Sequence, residues 1–382
     1  MLHMVAFALA AAFAALPRVA SVELWSIPFG GRSGYAYGSR STPVGKKVAF
    51  IWPAQKGDGA WTYVIDTRAH TVDLFAKGAF MNGTWWDPGS DCNRGLVTIG
   101  SDQSGIGNTG NELFTATTYD LESGRKLSAV RLHRACTLVG TILSDAWADL
   151  SGGVVEYDDR TGQRRVDLPS VYLGRFVRPV WDGPACRLYT ISPEERNQPE
   201  WGDRYLMRFT PGSLKPSGKA HLTPVSNWPR VVGDPDTGDF AIIDADGSDT
   251  ALFLSGVFRR DLTRVPVQFD WVSDVSPRGV LGERGTRLGK DLTLKQIICL
   301  DPRSGRQLWV AKCSTDTGPD SARWIGGNVL VKGEVLDGRN GRFMGKLELP
   351  AGQTIEWNGN VVLRVEGKTQ LRIVAYRIDA GR

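Results

Sequence analysis

Four short stretches of this chain share one pattern: DLESGR from Asp120, DDRTGQ from Asp158, DPRSGR from Asp301 and DGRNGR from Asp337. Each stands between runs in which apolar and polar residues alternate, as in TATTYD before the Asp120 turn and KLSAVRL after it. An Asp at the start of such a turn accepts a backbone N–H, and the Gly takes the positive φ that closes a type I turn with a bulge. The segments therefore read as β-hairpins.

Degenerate copies fill the gaps. YVIDTRAHTVDL carries Asp66 and has His70 where the Gly would sit, and His is among the residues enriched at positive φ. LMRFTPGSLKPSGKAHL places Phe209 at the equivalent point, VFRRDLTRVPVQF places Asp261, and YRIDAGR places Asp379. The eight points lie 36 to 54 residues apart, about 45 on average. DPDTGD at Asp234 also fits the turn but falls between two copies, so the spacing and not the motif makes the repeat. A Trp precedes most copies (Trp86, Trp181, Trp228, Trp271, Trp324 and Trp357), each followed by a short apolar run.

A period of roughly 40–45 is that of a four-stranded propeller blade. The expectation is an all-β chain folded as a single β-propeller over residues 22–382, with eight four-stranded blades. Seven is the alternative, if the short units around Asp337 or Asp158 are not separate blades. The last unit stops one strand short, and VELWSIP at Val22–Pro28 resembles RQLWVAK after the Asp301 turn. Val22–Ile27 is thus expected as the outer strand of the last blade, closing the ring and leaving only short, protected edges.

Val5–Leu16 is twelve uninterrupted apolar residues, too few to span a bilayer and suited to the core of a secretory leader. Residues 1–21 are read as a signal peptide cut before Val22, with an uncleaved anchor flanked by Arg18 as the alternative. The expected location is secreted or periplasmic, with no membrane span after cleavage. Lys and Arg number 46 against 41 Asp and Glu, a net +5 that falls to +4 without Arg18. There is no long basic run, so the balance does not argue for nucleic acid. Five cysteines (92, 136, 186, 299 and 313) are far apart, which allows one or two disulfides and leaves at least one thiol single.

IICLDPRSGRQLW and TTYDLESGRKL resemble the repeat of pyrroloquinoline-quinone-type propellers, whose units end in a strand, an Asp, a Thr/Ser-Gly turn and a Leu-Trp strand. That family includes quinoprotein dehydrogenases and non-enzymatic envelope proteins, among them the lipoprotein subunit of the outer-membrane β-barrel assembly machine. The resemblance implies the blade design, and fold does not settle function. The dehydrogenases of the family are longer and carry adjacent cysteines and an acidic calcium pocket; this chain has no Cys-Cys pair.

No residue set stands out as catalytic, cofactor-binding or metal-binding. Trp85 and Trp86 could stack on a planar ligand, but successive strand residues face opposite ways, which favours one in the core and one on the rim. DADGSD (Asp244, Asp246, Asp249) departs from calcium-loop spacing and reads as turns. Ser314–Trp324 departs from the Asp box of sialidase-like propellers and reads as a loop. His70 lies in a turn, and His133 and His221 on or near outer strands, away from the channel. The loops GRFVRPVW (174–181) and NQPEWGDRY (197–205) carry the Trp, Arg and aromatic types enriched at binding hot spots. The reading is a protein-binding or scaffolding module, monomeric, meeting a protein partner through channel-mouth loops and requiring no cofactor. The rival reading is an enzyme: an oxidoreductase subunit of quinoprotein or amine-dehydrogenase type, or a channel-centred hydrolase.

Overall fold

The computed structural model describes residues 17–76, 113–133 and 261–379 with short gaps, and between these runs the strands named below. The described residues form strands and turns, with no helix among them. Six four-stranded antiparallel sheets follow one another along the chain. The first contains Gly38–Ser41, Lys47–Pro53, Ala60–Asp66 and Thr71–Ala76, in that order. The second runs from Ala79–Phe80 to Lys126–His133, the third from Cys136–Val139 to Arg164–Leu168, and the fourth from Val180–Trp181 to Lys215–Leu222. The fifth runs from Pro229–Gly233 to Arg264–Val265. The sixth contains Trp271–Ser276, Gly279–Leu288, Asp291–Leu300 and Gln307–Lys312.

An eight-stranded sheet ends the series. Ala322–Ile325, Asn328–Val331, Glu334–Asp337 and Phe343–Leu347 make one half. Gly352–Asn358, Val361–Glu366, Leu371–Asp379 and the N-terminal strand Arg18–Phe29 make the other. Arg18–Phe29 pairs antiparallel with Leu371–Asp379 from Ala20 opposite Asp379 to Phe29 opposite Leu371, with a bulge between Glu23 and Trp25. It is longer at both ends than the expected Val22–Ile27. Its first residues join the halves by a short parallel contact, Arg18 to Lys346 and Val19 to Leu347.

Burial explains the sequence pattern. Lys47–Pro53 (KVAFIWP) is buried at every position after Lys47 because both of its faces meet apolar neighbours. Phe50 and Trp52 there pack with Phe29 and Tyr63 at ring-centroid separations of 4.9–6.3 Å, in a core shared with Ile355, Leu363 and Ile373 of the C-terminal sheet. The outer strand Gln307–Lys312 (QLWVAK) alternates instead, with Trp309 and Ala311 inward and Leu308 and Val310 exposed. The first strands lie side by side: Pro229–Gly233 against Trp271–Ser276, that strand against Ala322–Ile325, and Gly38–Ser41 against Gly352–Asn358. Trp181, Trp271, Trp324 and Trp357 all fall in first strands. Trp86 lies outside the described residues.

Candidate functional site

The repeated turn is built as its residues require. Asp301 Oδ1 accepts the N–H groups of Arg303 and Ser304 at 2.8 and 2.7 Å, its carbonyl accepts that of Gly305 at 2.8 Å, and Gly305 stands at φ +70°. The same scheme recurs at Asp120 with Gly124 (φ +70°) and at Asp337 with Gly341 (φ +72°). Asp66 caps Arg68 and Ala69 at 2.9 and 2.8 Å, and His70 takes the glycine's place at φ +53°. Asp261 caps Thr263 at 2.8 Å. In each of the Asp66, Asp120, Asp301 and Asp337 hairpins the outer strand after the turn carries one extra residue, Phe75, Leu127, Leu308 and Met344. Backbone donors hold three of these carboxyls below the ordinary range: Ala69 at Asp66, Ser123 at Asp120 and Ser304 at Asp301.

The turns are also where neighbouring sheets lock. Trp309, on the outer strand of the sixth sheet, donates Nε1–H to the Gly338 carbonyl at 2.9 Å. Its ring covers Gly341 so closely that a Cβ there would stand 2.6 Å from Cε3. Trp25, on the N-terminal strand, stacks on His70 at 4.9 Å. Phe75, on the outer strand of the first sheet, lies over Gly124 and packs edge-on to Tyr119 at 4.7 Å. In each pair an outer-strand aromatic seats on the positive-φ residue of the next turn. This is the structural content of the Leu-Trp strand and its counterpart VELWSIP.

The first strands are stitched by carboxylates. Asp274 Oδ2 accepts the Trp324 N–H at 2.8 Å, and buried Glu283 accepts from the Ser273 hydroxyl and, at 3.4 Å, from the Ala322 N–H. Trp324 Nε1–H in turn reaches the Gly279 carbonyl at 3.1 Å. In the last sheet the buried Arg364 donates to the Pro350 and Gly352 carbonyls at 2.8 Å and to Thr354 Oγ1 at 3.0 Å, while Glu366 accepts from Arg372 at 3.2 Å. Burial lowers the Arg364 pKa; burial and the Glu366 carboxylate push Tyr376 up to about 12. These charges are directed at backbone and at one another, which is a structural arrangement. Cys299 is a buried free thiol, pushed up to about 12 by burial, and so inert as a nucleophile.

The turn edge also carries polar surface. In the sixth sheet Val280 faces Leu300, so the Ser276–Gly279 turn lies beside the Asp301 turn at one end of the sheet. In the next sheet Asn328 faces Asp337, bringing Gly326 and Gly327 beside the Asp337 turn. Within that sheet Gly338 approaches the Gly327 carbonyl and Gly326 lies against Asn360 of the other half, and between the first and second sheets Lys47 Nζ donates to the Glu122 carbonyl. Arg303 and Arg306 project from one turn and Arg339 and Arg342 from the next, all exposed; Arg278, Arg68 and Arg125 are exposed on theirs.

Most of the loops singled out in the sequence are not among the described residues. Residues 174–179, 197–203, Trp85, Trp86, Asp246 and Asp249 fall outside the described residues, and Asp244 ends the strand Phe240–Asp244. His133 and His221 are on outer strands, as expected. The arginines of this edge stand in the motif itself, in DPRSGR and DGRNGR, although turn chemistry requires only its Asp and its Gly.

No protein-family model matches the chain, and no curated protein matches it by sequence. Solved structures do. A crystal structure of BamB from Moraxella catarrhalis is similar over 94% of this chain and 100% of its own, at TM-score 0.51 and 12% identity. A eukaryotic initiation factor is similar over 92% and 90%, at TM-score 0.52 and 9% identity. The β-propeller domain of the Trilobed protease from Pyrococcus furiosus is similar over 75% and 86%, at TM-score 0.43 and 15% identity. Identities this low bear on fold alone, and the fold of this chain is that of the β-propellers.

Proposed function

We propose that the protein is an exported β-propeller of eight blades that serves as a protein-binding or scaffolding module. The carrying observation is the sheet series: six four-stranded sheets and an eight-stranded one that divides at the parallel contact of Arg18 and Val19 with Lys346 and Leu347. Divided there, it supplies two further blades, the second completed by the N-terminal strand, so that the ring closes between the chain ends. The buried ionisable groups described above face backbone or one another, which favours a binding role over chemistry. Similarity to BamB over 94% of this chain and 100% of that one supports the fold on which this reading rests.

Residues 1–21 act in this proposal as the export leader. Cleavage before Val22 leaves Val22–Phe29, which retains its pairing with Leu371–Arg377. N-terminal sequencing of the mature protein tests the cut; a first residue other than Val22 rejects it. Crosslinking and affinity capture from the cells that make the protein should recover a defined partner at constant stoichiometry. Capture of none would reject the scaffold role. A near-ultraviolet or visible absorption band from a quinone in the purified protein would establish the oxidoreductase reading in its place.

A further inference from the structure

The turns that lock the sheets also gather charge at one edge, and the carboxylates beside that charge are already engaged. Asp66, Asp120, Asp301 and Asp337 aim their oxygens at their own turn N–H groups. Arg303, Arg306, Arg339, Arg342 and Arg278 are exposed and, among the described residues, make no ion pair within 4.0 Å, although the charges of Arg306, Arg125 and Arg68 still act on the Asp301, Asp120 and Asp66 carboxyls of their own turns. Arg68 and Arg125 are alike on the turns of the first two sheets. The Trp309 bond to the Gly338 carbonyl and the close approach of Gly338 to the Gly327 carbonyl bring the turns of the sixth and following sheets side by side.

We propose that this turn edge docks on an anionic lipid surface, the arginines of successive turns each seating against phosphate headgroups. The spread of the charges argues for it. Protein hot spots are compact clusters of buried anchors with an apolar centre. Here the cations come one or two to a turn. The exposed large apolar residues, Val22, Leu24, Leu74, Leu308 and Val310, lie on outer strands and not on the turns, among the described residues. A broad face of separate exposed cations suits a broad face of separate anions, and guanidinium geometry suits phosphate. The inference goes beyond the protein-partner reading and does not depend on it.

Flotation with purified protein at low salt tests it, using vesicles of phosphatidylcholine alone and of phosphatidylcholine with phosphatidylglycerol. Binding should require the anionic lipid and disappear at high salt. Each basic residue near such a surface contributes about fivefold in partitioning. The double variant Arg303→Gln/Arg306→Gln should therefore bind roughly 25-fold more weakly, and so should Arg339→Gln/Arg342→Gln on the next turn. Lys312→Gln/Lys368→Gln removes the same charge from the opposite end of the sheets and should bind as the parent does. Equal binding to neutral vesicles, equal loss from the control pair, or binding to a DNA duplex without vesicle binding would each overturn the proposal. A failed partner capture would leave it standing, and a failed flotation would leave the scaffold reading standing.

Discussion

His70 shows what the turn asks of a residue. It holds φ +53°, where a side chain costs about 1–2 kcal/mol relative to Gly, and it stacks on Trp25. His70→Gly and His70→Ala both lose the ring contact, and only the glycine relieves the backbone. Urea unfolding should therefore find His70→Ala less stable than His70→Gly by about 1 kcal/mol; equal stabilities would contradict the strain. The capping aspartates give a pH effect of known sign. Their folded pKa values lie below the unfolded value, so their contribution is complete above about pH 4 and is lost as pH falls through the folded values. The triple variant Asp66→Asn, Asp120→Asn, Asp301→Asn keeps a capping side chain but does not titrate. Its melting temperature should vary less between pH 5 and pH 2 than the parent's, and an unchanged acid profile would remove these three groups as the cause.

At the scale of the element, the outer strand is held by its aromatic. Trp309 is buried by the turn of the next sheet, while Lys312 on the same strand is exposed. Trp309→Ala should cost about 3–5 kcal/mol and Lys312→Ala no more than about 0.5 kcal/mol by chemical denaturation. A small loss at Trp309 would show that the lock is not where the strand's stability resides. The sequence carried this element well: the Asp turn, the positive-φ residue and the Leu-Trp strand can all be read from spacing and turn chemistry. What it could not carry is the partner of each Trp, because Trp309 meets Gly341 only when two units stack. Nor could hydrophobic period mark the ends of Arg18–Phe29, whose first residues are fixed by Lys346 and Leu347, far away in sequence. The Arg18–Glu348 pair at 3.0 Å and the Ser21 bond to the Glu348 carbonyl are likewise long-range.

Taken as a whole, the molecule was legible as a repeat and opaque as a surface. A period near 45 residues implies a stack of sheets, and the stack is there. Which end of it meets other molecules depends on how side chains that are far apart in sequence come to share an edge, and composition conceals that: a net charge of +5 says nothing of where the cations gather. The pairing of Ala20 with Asp379 has one more consequence. The two paired strands meet where the four-stranded sheets have a hairpin turn between their third and fourth strands, so a turn can be supplied there. Joining Asp379 to Val22 through Pro-Arg-Ser-Gly-Arg-Ala-Ser and opening the chain at the exposed Ser123–Gly124 bond tests this with a circular permutant. It should melt in a single transition about 2–4 °C below the parent, the loss of one capped turn. A permutant that fails to fold cooperatively would mean that the N-terminal strand must be made first.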